Sequence, residues 1–263
     1  MNNFINKNYT GHIVFSELKE IADFYNSLSD SIMYFILLGT KIENNLDAHI
    51  FSSMHGTLDS IRDVLLKGRI NDAYALLRKY YDSTFINVYL NLYLKNNYSI
   101  DNLIVKQIDK WIEGIETIPE YRIISSYIKN SCLLKPITLL LDKDKRYKKI
   151  RERCNDNTHY NFFHNVLSND NEIYNPVRLK MLDLFSSDLN DIFIQHFSYV
   201  FYLNDHYMMS SDYIDALDNG ISPGENSQYL IAPFIQDIFD TVIIKKRNDI
   251  AVLLKNNSRM KIE

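Results

Sequence analysis

The chain has 263 residues, of which 46% are hydrophobic and 24% charged, enough apolar side chain to bury a core. A formal net charge of -4 and a pI near 6.0 exclude attraction to nucleic acid by the molecule as a whole, so any such contact has to come from a local patch. Seven Gly and five Pro are too few for a turn-rich β fold. The two cysteines, Cys132 and Cys154, lie outside any CxxC spacing, which argues against a disulfide scaffold and a structural zinc site.

The first fourteen residues are expected to be a loose polar leader without the apolar stretch of a signal peptide. A helix is predicted over 16–38, with Ser16 as its cap and Leu18, Ile21, Phe24, Tyr25 and Leu28 at helical spacing. A second, over 46–67, carries Leu46, Ile50, Met54, Leu58, Ile61 and Leu65 three or four apart, with Gly68 as its stop. Asn71 is the expected cap of a third, over 72–95, and Ser99 opens a shorter one that Gly114 ends. Pro119 precedes a helix over 120–134, which Pro136 kinks before the pattern resumes to Leu141. The spacing then predicts one helix over 143–167, a linker over 168–175, two helices over 177–217, and a last helix or pair over 228–254, interrupted near Pro233. The loop before that last stretch includes Ser222, Pro223 and Gly224.

The most apolar runs, 32–38 and 192–203, are shorter than a membrane span. A cytoplasmic protein with no membrane contact is therefore expected. The fold class is all-α, a multi-helix bundle of about eight to ten helices. Residues 1–167 are expected to form an N-terminal bundle, and 176–263 a C-terminal helical region packed on it. Scarce loops and broad apolar faces suggest a homodimer. No nucleotide, zincin or esterase signature is present, and no cofactor or metal is expected.

One segment carries chemistry: 143–167, KDKRYKKIRERCNDNTHYNFFHNVL. Between Lys143 and Arg153 stand seven Lys or Arg and two acids, seven minus two giving a local +5. Asn155, Asp156, Asn157, Thr158 and His159 follow, then Tyr160, Phe162 and Phe163. Residues four apart on a helix are rotated by about 40°, which sets Arg151, Asn155 and His159 on one stripe. An imidazole moves protons near neutral pH, and a guanidinium holds phosphate oxygens and offsets charge that builds on them. RNA supplies its own nucleophile, the 2′-OH, so a metal-free ribonuclease needs little beyond a placed His and a phosphate clamp. His164 lies off the face of His159, against a two-His metal site.

Arg153, five residues and then His159 resemble the Arg–spacer–His motif of HEPN-domain proteins. Residues 72–82, DAYALLRKYYD, resemble the bundle helix of their abortive-infection-type relatives. The resemblance covers about residues 46–167. It implies a helical, usually dimeric fold and a metal-independent endoribonuclease of phage defence or a toxin, cytoplasmic, with RNA and an antitoxin or other protein as partners. On this reading His159 is the general base or acid, Arg153 or Arg151 steadies the phosphorane, and Asn155 orients the phosphate. Lys145, Arg146, Lys148 and Lys149 steer RNA. The sequence departs from the motif where Cys154 follows Arg153, and where a straight helix turns Arg153 about 120° from His159. Helical geometry favours Arg151 and motif spacing favours Arg153.

Simpler readings stand beside these. The basic run can be a solvated face, and Arg78 with Asp82 an i,i+4 ion pair. The acidic stretch Asp205, His206, Asp212, Asp215, Asp218 and Glu225 can be an exposed face rather than a metal site. A non-catalytic helical interaction or sensor module is the alternative function; a metal-dependent enzyme using the acidic stretch ranks last.

Overall fold

The computed structural model describes residues 5–41, 45–170, 176–222 and 230–263. The fold is all-helical, and three isolated β-bridges are the only extended pairings among the described residues. The helices are α1 (Lys7–Thr10), α2 (Val14–Ile32), α3 (Leu46–Leu66), α4 (Ile70–Asn97), α5 (Lys106–Ile112), α6 (Tyr121–Lys129), α7 (Lys135–Leu141), α8 (Arg146–Thr158), α9 (Phe163–Leu167) and α10 (Arg178–Leu203). After a 3-10 turn (Asp205–Met208) come α11 (Ser211–Asp218), α12 (Pro233–Ile238), a π turn (Phe239–Ile243), α13 (Ile244–Lys246) and α14 (Asn248–Asn257).

The chain folds as two compact units, each assembled from separated segments. One comprises 1–26, 52–84 and 144–193; the other 27–51, 85–143 and 194–263. Helices α2, α3, α4 and α10 contribute residues to both.

The first unit is built on apolar stripes. Leu58, Ile61 and Leu65 of α3, Leu77 and Tyr80 of α4, Ile150 of α8 and Phe185 and Leu189 of α10 are fully buried, as expected of helices that hide one face. Tyr25 and Tyr80 share a hydrogen bond of 2.9 Å, and the Tyr25 and Phe24 rings meet Phe193 edge to face. Gly68, with φ +75°, ends α3 as expected; its carbonyl accepts a 3.1 Å bond from Arg178. Asn71, expected to cap α4, instead lies within it and donates to the Asn157 carbonyl at 2.8 Å. The open end of α4 is satisfied by Asn169, whose side chain accepts from Asp72 N–H and donates to the Asp72 carboxylate.

The helix expected over 143–167 is two helices. Asn155, Asp156, Asn157 and Thr158 are poor helix formers, and Tyr160 adopts φ +49°. The Asn161 N–H then reaches back to the Asp156 carbonyl at 3.0 Å, a Schellman closure. The chain turns, and α9 returns so that Asn165 donates to the same Asp156 carbonyl at 2.8 Å. Of the expected linker over 168–175, Ser168, Asn169 and Asp170 are described, and residues 171–175 lie outside the described residues.

The second unit has a polar centre. Asp47 is fully buried near the start of α3 and accepts hydrogen bonds from Asn87 (2.8 Å), Asn91 (2.8 and 3.0 Å) and the Tyr207 hydroxyl (2.9 Å). Asn87 in turn accepts from His196 Nε2 at 2.9 Å, which fixes that tautomer. Around this centre pack Phe51, Phe197, Phe201 and Phe239. Gly39 has φ +86° and lies so close to Val105 and Leu94 that an added Cβ would meet them at 3.0 and 3.1 Å, which requires glycine there. Pro136 starts α7 instead of kinking a longer helix, and Pro233 starts α12. Residues 223–229, with Pro223, Gly224, Glu225 and the expected helix start at 228, lie outside the described residues.

Candidate functional site

Helix α8 presents its cations to two different faces of the first unit. On one face Arg151 donates to Asp82 at 2.6 Å. The other oxygen of Asp82 accepts from Arg78 Nε at 2.9 Å, and Arg78 Nη1 donates to Asn155 Oδ1. Two guanidinium groups therefore share one carboxylate. Its members are only partly covered, with 20% of the Arg78 and Arg151 side chains and 34% of Asp82 exposed. The expected Arg78–Asp82 pair is thus present, and it is extended by α8.

His159 ends this stripe. It is the C-cap of α8, and its N–H still bonds the Asn155 carbonyl at 3.0 Å, so its Cα keeps the helical path while its side chain is exposed. Arg151, Asn155 and His159 are in line, as the four-residue spacing requires.

Arg153 faces elsewhere. Its Nε and Nη2 both bond Asp188 of α10, the first at 2.8 Å, and Tyr74 donates its hydroxyl to Asp188 at 3.2 Å. Burial raises the Asp188 carboxyl, an effect that the Arg153 bonds oppose. Cys154 is fully buried, and burial pushes its thiol up to about 12, so it is no nucleophile at neutral pH.

Among the proposed RNA-steering residues, Arg146 is held by Asp144 (2.8–3.0 Å) and Asp191 (2.7 Å). Lys148 lies 3.7 Å from Glu152, while Lys145 and Lys149 are exposed. The positive run is therefore partly neutralised by acids distant in sequence, of which Asp82 and Asp191 carry no local signal.

Beside the Arg153 face lies a cavity of about 430 Å3, lined by Arg153, Asp156, Asn157, Phe162, His164 and apolar side chains of α10. The Phe162 and His164 rings lie parallel, 5.5 Å apart. Sequence reasoning missed this cavity, because only the turn at Tyr160 brings α9 back along α8.

In the acidic stretch, Asp205 accepts from the backbone N–H of Arg259 at 2.8 Å and from its guanidinium at 2.6 Å. These bonds hold its carboxyl below the ordinary range. Among the described residues no three His, Cys, Asp or Glu side chains converge as metal ligands, and no helix is long and apolar enough to cross a membrane.

Comparisons with protein-family models, with curated proteins and with solved structures find no match to this chain.

Proposed function

We propose that the protein is a metal-independent endoribonuclease acting in phage defence or as a toxin, and that its working stripe is Arg151, Asn155 and His159 of α8 with Arg78 of α4. The observation that carries this reading is the partly exposed Arg78–Asp82–Arg151 cluster with Asn155 attached and His159 in line beyond it. In the proposed reaction His159 takes the proton of the 2′-OH as that oxygen attacks the phosphorus, and the P–O5′ bond breaks. A proton returns to the 5′ oxygen. Arg151 and Arg78 offset charge on the phosphorane, and Asn155 orients the phosphate. The products are a 2′,3′-cyclic phosphate and a 5′-OH. Because Arg153 is engaged by Asp188 on another face, it is a positioning residue in this scheme rather than the phosphate clamp.

The test is product analysis after incubation of RNA with the protein in EDTA. Cyclic-phosphate ends that disappear in Arg151→Ala but persist in Arg153→Lys support the reading. Products with 3′-OH and 5′-phosphate ends contradict it.

A second reading is favoured by one specific observation: Arg146, Arg151 and Arg153 each have a carboxylate partner. That arrangement suits a non-catalytic helical interaction module whose arginines brace the first unit. Cleavage by neither wild type nor variants, with the protein folded, favours this reading.

A further inference from the structure

We infer that the cavity between the Arg153 face of α8, the returning α9 and the start of α10 is a binding site for a nucleobase. This goes beyond the ribonuclease reading and does not require cleavage.

The volume, about 430 Å3, falls in the range of small-molecule pockets. The body of the lining is apolar: Leu167, Val177, Met181 and Leu184. Arg153, Asp156 and Asn157, three and four residues apart, bring polar groups from one face of α8, and Tyr74 of α4 and His164 and Asn165 of α9 complete the polar lining; the Tyr74 hydroxyl is given to Asp188, and Asn165 donates to the Asp156 carbonyl. Their state restricts the ligand. Arg153 gives Nε and Nη2 to Asp188, and among the described residues its Nη1 has no partner. The cavity is therefore offered N–H donors whose charge is already balanced, which does not select an anion. One oxygen of Asp156 accepts from Asn161 at 2.7 Å, and the carboxylate keeps further acceptor capacity. Asn157 is spent on Asn71 and on the Arg153 carbonyl. The Phe162–His164 ring pair adds a flat face.

The complementary ligand is thus planar and apolar on its faces, with a carbonyl or ring nitrogen for Arg153 and an N–H for Asp156 along its edge. Nucleobases have that pattern, and proteins take up unpaired bases by stacking on aromatic rings and pairing with the base edge. The base can come from a free nucleotide or from a single strand, and the two sources are separable.

The experiment is calorimetric titration of the full chain in EDTA with the four ribonucleoside 5′-monophosphates, a mixed-sequence single-stranded DNA oligomer and an abasic oligomer of the same length. DNA lacks the 2′-OH that cleavage needs, so a failed ribonuclease does not affect the readout. Leu184→Trp fills the cavity from a side chain that is 43% exposed, and Val177→Trp does so from one that is 47% exposed, so either is compatible with folding. Leu179→Trp, 42% exposed and outside the cavity lining, is the matched control. The expected result is binding of at least one base-bearing ligand, weakened about tenfold or more by a filling variant and unchanged in the control, a loss of about 1.4 kcal/mol. Mononucleotide binding identifies a free-nucleotide site, and binding of the DNA oligomer alone a strand site. The inference is overturned if no base-bearing ligand binds, if the filling variants bind as wild type does, or if the abasic oligomer shows the same sensitivity to filling.

Discussion

Two buried groups in the second unit are expected to titrate in opposite directions and to flatten each other's effect on stability. Burial holds His196 at about 3, against an ordinary value of 6.5. Because the folded state resists the charged imidazole, His196 contributes stability that is present above about pH 6.5 and is lost as the pH falls. Between about pH 7 and pH 4 that loss is roughly 3 kcal/mol. Asp47 behaves oppositely. Burial, opposed by the bonds from Asn91, Tyr207 and Asn87, pushes its carboxyl from 3.8 up to about 6. The fold favours the protonated acid, so stability is lost as the pH rises through about 6 and recovered on acidification. Over the same interval the recovery is roughly 2 kcal/mol, because the unfolded carboxyl is itself partly protonated at pH 4. Wild type therefore recovers through Asp47 most of what it loses through His196. His196→Gln removes only the loss, so on acidification it should gain roughly 3 kcal/mol relative to wild type; Asp47→Asn should lose roughly 2 kcal/mol. The double variant should stay within about 1 kcal/mol of wild type across this interval. Urea unfolding followed by Trp111 fluorescence reads this directly, because the single tryptophan belongs to the same unit. Only the change with pH is compared, so the constant cost of each substitution cancels. Single-variant profiles that run parallel to wild type would refute the reasoning.

The two thiols should separate cleanly. With native protein near neutral pH a disulfide reagent should modify one cysteine, the exposed Cys132, and in denaturant both, since Cys154 is buried with its thiol raised to about 12; rapid modification of both in the native state contradicts that burial. Replacing Tyr160 by Asn, which tolerates the left-handed backbone, should stabilise the turn after α8 by about 1 kcal/mol, seen as a higher urea midpoint; a lower midpoint would show that the Tyr160 side chain matters more than its backbone. Arg259→Ala should lower stability by less than about 1 kcal/mol, because its side chain is 83% exposed and Asp205 keeps its backbone bond. A loss of several kcal/mol would place that pair within the core.

Helices were legible where their sequences alternate apolar and polar residues at helical spacing. The stripe of α3 lies buried at Leu58, Ile61 and Leu65, and Gly68 ends the helix where its conformational freedom is needed. Breaks were harder to read. The Pro136 and Pro233 rings start helices, which a proline permits as readily as a kink. The end of α8 is made by Tyr160, a residue that seldom adopts positive φ. The two units carry no sequence signal, because α2, α3, α4 and α10 each contribute to both without a linker. At the site, helical phase did separate the Arg151 face from the Arg153 face. What periodicity lacked was the identity of the partners. Asp188 is a buried acid between Phe185 and Ile192 of α10, and that placement is the local sign that α10 supplies a buried counter-charge. Asp82, Asn155 and Arg151 meet only through tertiary packing, across 69 residues in one case.

Cleavage of a mixed tRNA and mRNA pool in EDTA, by wild type and His159→Ala purified identically, tests the proposed function most directly. The account predicts cleavage by wild type and its loss in His159→Ala with the fold intact. Equal cleavage by both proteins would contradict it, since His159 is the only group on the stripe assigned to move the proton.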